Sequence, residues 1–149
     1  MTLQIEDEYL DIIIAVGHAA NMIFEKAYVV GGFVRDTIMG IPSDDLDFLC
    51  TDIDKLSDEI LWHHGETKEL YETITPTYRT CVIQWGNIKI DLVEPRKETY
   101  VSDSIKPLVE KGTFEDDIAR RDFTINALTM GCSYDDLYYI YDRTNGLMD

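Results

Sequence analysis

The run AYVVGGFVRDTIMG, from Ala27 to Gly40, constrains this chain more than any other stretch. A short apolar segment rich in β-branched residues meets two glycines and passes directly into an amphipathic stretch. A buried strand therefore has to turn sharply into a helix, and the glycine pair is what allows it. FVRDTIMG reads as that helix, closed by Gly40. A junction of this kind stacks helix on strand and calls for a sheet with helical cover. Its flanks supply matching parts. Upstream, Tyr9, Ile12, Ile13, Val16, Ala20 and Ile23 place one apolar stripe on a helix. Downstream, LDFLC reads as a second strand and IDKLSDEILWHHG as a second amphipathic helix.

TYRTCVIQW and IKIDLVE are rich in β-branched and aromatic residues and read as a hairpin turning at Gly86-Asn87. From Pro95 to Gly112 the pattern fades, and PRKETYVSDSIKPLVEKG reads as a mobile loop. TFEDDIARR and DFTINALTMG read as two short helices, with Thr113 and Asp122 as N-caps and Gly131 as a stop. YDDLYYIYD reads as a last short strand or hairpin arm. A length of 149 residues suits one domain with a single core. The order of elements predicts an α/β or α+β fold with a mixed sheet and helices on at least one face.

Composition narrows the function classes. Asp and Glu number 29 against 13 Lys and Arg, a formal charge of −16 that repels polyanions and makes nucleic acid an awkward partner for this chain alone. No apolar run approaches the roughly 18 residues a membrane span needs, so no membrane partner is expected. The start, MTLQIEDEYL, is acidic where a secretory or transit segment would be basic, which predicts a cytoplasmic protein. Cys50, Cys81 and Cys132 are an odd, widely spaced set and read as buried small hydrophobes. His63 and His64 fall at a helix end before Gly65, a position the helix dipole favours, and His18 stands alone in a helix. None of the three has the spacing of a zinc ligand.

Carboxylates are the stronger metal candidates. A strand through SDDLDFL would carry Asp45 and Asp47 on one face, about 7 Å apart at the backbone, with Leu46 and Phe48 toward the core. Asp91, between Ile90 and Leu92, alternates so as to share that face. Oxygen donors arranged this way suit magnesium, and a two-metal site can hold the attacking and leaving oxygens of a phosphoryl displacement. A solvated strand edge is the plain alternative. Upstream, Gly31 and Gly32 let backbone N–H groups approach a phosphate at a helix start, and Arg35, one turn on, can add a fork of donors. An ordinary tight turn with a surface arginine accounts for the same residues.

Together these stretches carry a resemblance. VVGGFVRDTIMGIPSDDLDFLC is similar to the GGxVRD and DxD signature of the nucleotidyltransferases that include CCA-adding enzymes and bacterial poly(A) polymerases, the class II branch of the polymerase-beta-like superfamily. The similarity continues through DLVEPRKETY, FEDDIARRDFTINAL and YDRTNGL, the last resembling the DxxxG element from Asp142 to Gly146. It implies an α+β head domain over residues 1–149, with a mixed, largely antiparallel sheet flanked by helices. Asp45 and Asp47 would then hold a two-metal magnesium site, and Asp91 would be the third carboxylate, near the attacking hydroxyl. Gly32 and Arg35 would grip the triphosphate, with Gly31 in the same turn. Arg121 would touch the phosphates of the incoming nucleotide, while Asp122 and Asn126 set ribose contacts and local geometry.

The implied reaction moves a nucleoside monophosphate from ATP or CTP to an RNA 3′ hydroxyl, with tRNA as the expected acceptor. Family members continue past the DxxxG element into neck, body and tail regions that choose the base and hold RNA. Those regions are expected to be absent here, and a partner chain is expected to supply their work. Asp116 to Arg120 resembles the base-templating EDxxR element only superficially, since it stands directly before RDFTINA. Two other readings stay open: a module that binds nucleotide or a partner without turnover, and nucleotidyl transfer to a protein hydroxyl.

Overall fold

The computed structural model describes residues 3–65, 70–75, 80–99, 108–119 and 128–142. Its first half follows the sequence pattern closely. Helix α1, Asp7–Met22, begins with Asp7 and Glu8 at its positive end and buries Ile12, Ile13, Val16 and Ala20. Strand β1 is Ala27–Val30, helix α2 is Gly32–Met39, and Gly40 caps α2 in the left-handed conformation at φ 70°. Strand β2, Leu46–Cys50, leads into helix α3, Ile53–His64. Two carboxylates close the start of α3: Asp52 Oδ1 accepts from Lys55 N–H at 3.1 Å, and the buried Glu94 accepts from Ile53 N–H at 3.2 Å. His63 and His64 do end this helix, and His63 Nε2 lies 2.8 Å from Glu59 Oε1.

The remaining strands are β3 (Leu70–Thr75), β4 (Thr80–Trp85), β5 (Ile88–Val93), β6 (Arg96–Thr99), β7 (Leu108–Lys111), β8 (Thr129–Gly131) and β9 (Ile140–Tyr141). Seven of them form one sheet in the order β3-β4-β5-β2-β1-β8-β9. Neighbours are antiparallel except for β2 and β5, so the fold is α+β with a mixed, largely antiparallel sheet. Helix α4, Phe114–Ala119, starts with a reciprocal cap. Thr113 N–H donates to Asp116 Oδ2 at 2.9 Å, and Asp116 N–H donates to Thr113 Oγ1 at 3.2 Å.

Three parts differ from the sequence reading. The stretch from Pro95 to Gly112 is not a loop throughout: β6 and β7 pair antiparallel, with Arg96 opposite Lys111 and Lys97 opposite Glu110. These short, charge-rich strands form a separate two-stranded ribbon, and RKET and LVEK carry no apolar alternation that would mark a strand in the sequence. LYETIT forms β3 at the sheet edge, an element the sequence reading did not assign. Thr129–Gly131 is strand, not the end of a helix. Leu128, Thr129 and Met130 are all buried, and the open edge of β1 takes up the short apolar run as β8.

The core lies between the sheet and helices α1 and α3. Val29, Phe48, Ile90 and Leu92 meet Ile13, Val16, Leu56 and Ile60 there. Each of these is essentially inaccessible to solvent, and trimming one to alanine should cost roughly 2–5 kcal/mol. The three cysteines are free and buried, as their spacing predicts. Burial pushes the Cys50 thiol up to about 11 and raises Cys132 further. Helix α1 comes so close to the end of β8 that a Cβ on Gly17 would lie 1.8 Å from Cys132 O. Among the described residues no helix is long and apolar enough to cross a membrane.

Candidate functional site

The sheet register builds the site. Antiparallel pairing sets Val30, the last residue of β1, opposite Asp47 in β2, and the parallel pairing of β2 with β5 sets Asp47 opposite Asp91. On both strands the flanking residues are fully buried, Leu46 and Phe48 around Asp47, Ile90 and Leu92 around Asp91. Core packing on one face thus fixes the two aspartates on the other, because a slip of one residue would drive the carboxylates into the core. Asp45 stands just before β2 and is exposed, whereas the two strand aspartates are half-buried. One carboxylate oxygen from each of Asp45, Asp47 and Asp91 lies within 4.8 Å of the others.

Two unit charges about 4 Å apart near a protein surface repel by roughly 4 kcal/mol, so such a cluster favours a divalent cation, which turns repulsion into attraction. Asp91 Oδ1 is buried and accepts no hydrogen bond among the described residues. An orphaned anionic oxygen of this kind fits a metal ligand. All three donors are hard oxygens, the type that suits magnesium, calcium or manganese over zinc or copper. Asp45, Asp47 and Asp91 could hold such an ion.

The turn after β1 meets this cluster. Gly31 adopts φ 77° and ψ −153°, a region essentially closed to other residues. A Cβ at this position would also come within 3.5 Å of Asp47 Oδ2. The helix that follows brings its N-terminus to the same end of β1. Arg35 folds back over the first turn, so that a Cβ on Gly32 would lie 3.1 Å from its Nη2. The Arg35 Nε–H donates to Asp36 Oδ1 at 2.9 Å, and that hydrogen bond raises the already basic guanidinium further. Asp36 is the residue that the sequence reading did not weigh; the adjacent Arg-Asp pair in VVGGFVRD was its only signal.

Of the expected site residues, the structure gathers Asp45, Asp47 and Asp91 with Gly31, and places Gly32 and Arg35 in the first turn of the adjoining helix. Arg121, Asp122, Asn126 and the DxxxG element after Asp142 lie outside the described residues. A cleft of about 500 Å³ opens between α1 and α2, lined by Tyr9, Phe33, Thr37 and Ser43 among others, but none of the three carboxylates lines it.

Comparison with known proteins agrees with this geometry. The A-adding tRNA nucleotidyltransferase of Aquifex aeolicus is 33% identical over 125 residues, covering 83% of this chain and 15% of that protein. The enzyme of the same description from Halalkalibacterium halodurans is 29% identical over 158 residues, covering 99% of this chain and 36% of that protein. This chain therefore spans well under half of either relative. A solved tRNA nucleotidyltransferase, complexed with a primer tRNA and an incoming ATP analog, superposes with a TM-score of 0.74 at 30% identity, over 90% of this chain and 36% of that one. An apo CCA-adding enzyme shares the fold at a TM-score of 0.86 and 24% identity, over 100% of this chain and 37% of that one. Residues 27–149 match the family described as Poly A polymerase head domain. That match takes in both carboxylate strands and the glycine turn that meets them, and the chain belongs to the poly A polymerase head domain family.

Proposed function

We propose that this chain transfers a nucleoside monophosphate from ATP or CTP to the 3′ hydroxyl of an RNA, with tRNA as the acceptor and magnesium as the metal. The observation that carries the reading is the convergence of Asp45, Asp47 and Asp91 beside the Gly31 turn. Relatives named as A-adding tRNA nucleotidyltransferases, and a similar enzyme solved with a primer tRNA and an ATP analog, support the choice of substrates.

In this reading Asp45 and Asp47 would hold the metal, which when bound would supply positive charge at the α-phosphate and favour loss of the hydroxyl proton. Asp91 faces the acceptor hydroxyl and receives that proton. The hydroxyl oxygen bonds to the α-phosphorus as the bond from the α-phosphorus to the bridging oxygen breaks, and pyrophosphate leaves. Gly31 and Gly32 offer backbone N–H groups at a helix start, and Arg35 adds charge, so together they orient the triphosphate. Arg121, Asp122 and Asn126 take the phosphate and ribose contacts. Residues 1–149 act as one catalytic domain, and the RNA grip that a net charge of −16 denies them comes from outside these residues.

The test is incubation of the chain with labelled ATP or CTP, magnesium and a mixture of RNAs that includes tRNA. Label on RNA ends, absent for Asp47→Asn, is the expected result. Label on protein would move the acceptor to a protein hydroxyl. Nucleotide binding with no transfer to either would leave a binding module and defeat the enzyme reading.

A further inference from the structure

The opposite end of β1 from the carboxylates carries an exposed aromatic surface that the proposed reaction does not use. Helix α1 ends in a Schellman motif: Glu25 N–H donates to Ala20 O at 2.9 Å and Phe24 N–H donates to Asn21 O at 3.1 Å. The left-handed position of this motif ordinarily takes glycine, yet here it holds Phe24 at φ 60°, with its ring 97% exposed. A bulky residue in that conformation is strained, and an exposed ring returns nothing to the core. Tyr138, in the connection between β8 and β9, repeats the arrangement at φ 68° and is also exposed. Tyr134 is 101% exposed, and Tyr139, in the same connection, is exposed as well.

The two segments are neighbours. Tyr28 in β1 pairs with Gly131 at the end of β8, and Cys132 Sγ donates to Ala27 O at 2.9 Å. Lys26 and Asp135 then form an ion pair at 3.7 Å between the loop after Phe24 and the loop after Tyr134. Tyr139 is braced from behind, its ring 4.7 Å from Tyr141, which in turn meets Tyr28 at 5.4 Å. Phe24 and Tyr134 thus stand exposed on adjoining loops, which the Lys26–Asp135 ion pair joins.

We propose that this surface docks a basic, arginine-bearing polypeptide segment of another protein. Guanidinium groups stack on exposed aromatic rings, and one could take the place of Lys26 beside Asp135. The net charge of −16 selects the partner's sign. It repels both a second copy of the chain and a nucleic acid, leaving a cationic peptide as the occupant that complements it.

The test is calorimetric titration with a synthetic arginine–glycine peptide and a lysine–glycine peptide of equal charge, at physiological salt. The variants are Phe24→Gly, Tyr134→Ser and the two combined, none of which changes charge. Trp62→Ser, which removes an exposed ring on α3, is the control. The wild type should prefer the arginine peptide. The double variant should lose about tenfold in affinity for it and no longer discriminate, while Trp62→Ser binds as wild type. Phe24→Gly should also melt higher than wild type, since glycine relieves the strain, so binding and stability move in opposite directions. Unchanged arginine-peptide affinity in the double variant would overturn the proposal. So would sedimentation or RNA titration showing that the same two residues govern self-association or oligonucleotide binding.

Discussion

Asp47 and Asp91 stand as direct partners across the only parallel strand pair among the described strands. Like charges held this close are kept in place by the buried residues beside them, so the repulsion is a standing cost of the fold. Asp47→Asn should lower nucleotidyl transfer by at least about a hundredfold, because the metal contributes several kcal/mol at the transition state, and Asp91→Asn should lower it comparably, because the hydroxyl proton loses its acceptor. Neither change should weaken the fold, and melting temperatures should hold or rise slightly. Transfer rates and thermal denaturation of both variants provide the check; unimpaired transfer would remove Asp47 from the metal site and Asp91 from proton transfer.

Gly31→Ala should be costly through the backbone, which at φ 77° and ψ −153° is open essentially to glycine alone. A loss of about 2 kcal/mol is expected from the backbone term. For a chain of this size that is a fall of roughly 4–8 °C in melting temperature. Transfer should decline beyond what the remaining folded fraction explains, since relief of the backbone strain would move the turn that adjoins Asp47. Gly86→Asn makes a suitable comparison. Gly86 has φ 62° with nothing within 4 Å of a Cβ, and asparagine tolerates this conformation best among the residues with a side chain.

Alkaline pH should destabilise the fold through Cys50. Burial is the main cause of its rise to about 11, against an unfolded value near 8.5. The folded state thus keeps a proton that the unfolded state gives up. The stabilisation is fully present below about pH 8.5 and is lost as pH rises toward 11, amounting to roughly 3 kcal/mol over that window. Denaturant midpoints between pH 8 and 11 should fall along this curve, and Cys50→Ala should flatten the fall even though it lowers stability at neutral pH by leaving a small cavity. An equal decline in the variant would assign the effect elsewhere.

Nucleotide choice by the 149-residue chain alone should be weak. The groups proposed to hold the nucleotide, Gly31, Gly32, Arg35 and Arg121, are of types that read phosphate and sugar, which every ribonucleotide carries. Binding of ATP, CTP, GTP and UTP in magnesium should agree within about tenfold, or roughly 1.4 kcal/mol. Binding of tRNA should be weak with a shallow salt dependence, given the net charge of −16. Calorimetry with the four triphosphates and tRNA titrations at several salt concentrations test both. A hundredfold preference for one base would require a base pocket within this chain.

The sequence made some of these features plain and hid others for physical reasons. Helix α1, the β1-turn-α2 junction, β2 and the β4-β5 hairpin were legible because each has one buried face, and burial writes a period of 3.6 or 2 into the residues. Asp45, Asp47 and Asp91 were legible as candidates through alternation and through the family resemblance. That β2 and β5 would be parallel neighbours was not, since pairing across α3, β3 and β4 leaves no local trace. The ribbon of β6 and β7 was invisible because RKET and LVEK show no apolar alternation. The run from Leu128 to Gly131 misled because a short apolar segment fits helix or strand equally, and the unfilled edge of β1 decides between them. The strain at Phe24 has no sequence signal at all; only its backbone angle reveals it.

The parallel junction also orders events in time. Asp45 and Asp47 leave the ribosome well before Asp91, with α3, β3 and β4 translated in between. Docking β5 beside β2 closes that long loop, an entropic step that must precede the contacts rewarding it. The three carboxylates accordingly come together only in molecules whose sheet is complete from β1 to β5. Any ligand that needs all three ignores partly folded chains and draws the population toward the finished state by mass action. Capture of that ligand during refolding would report completion of the sheet, independently of whether a nucleotide is ever transferred.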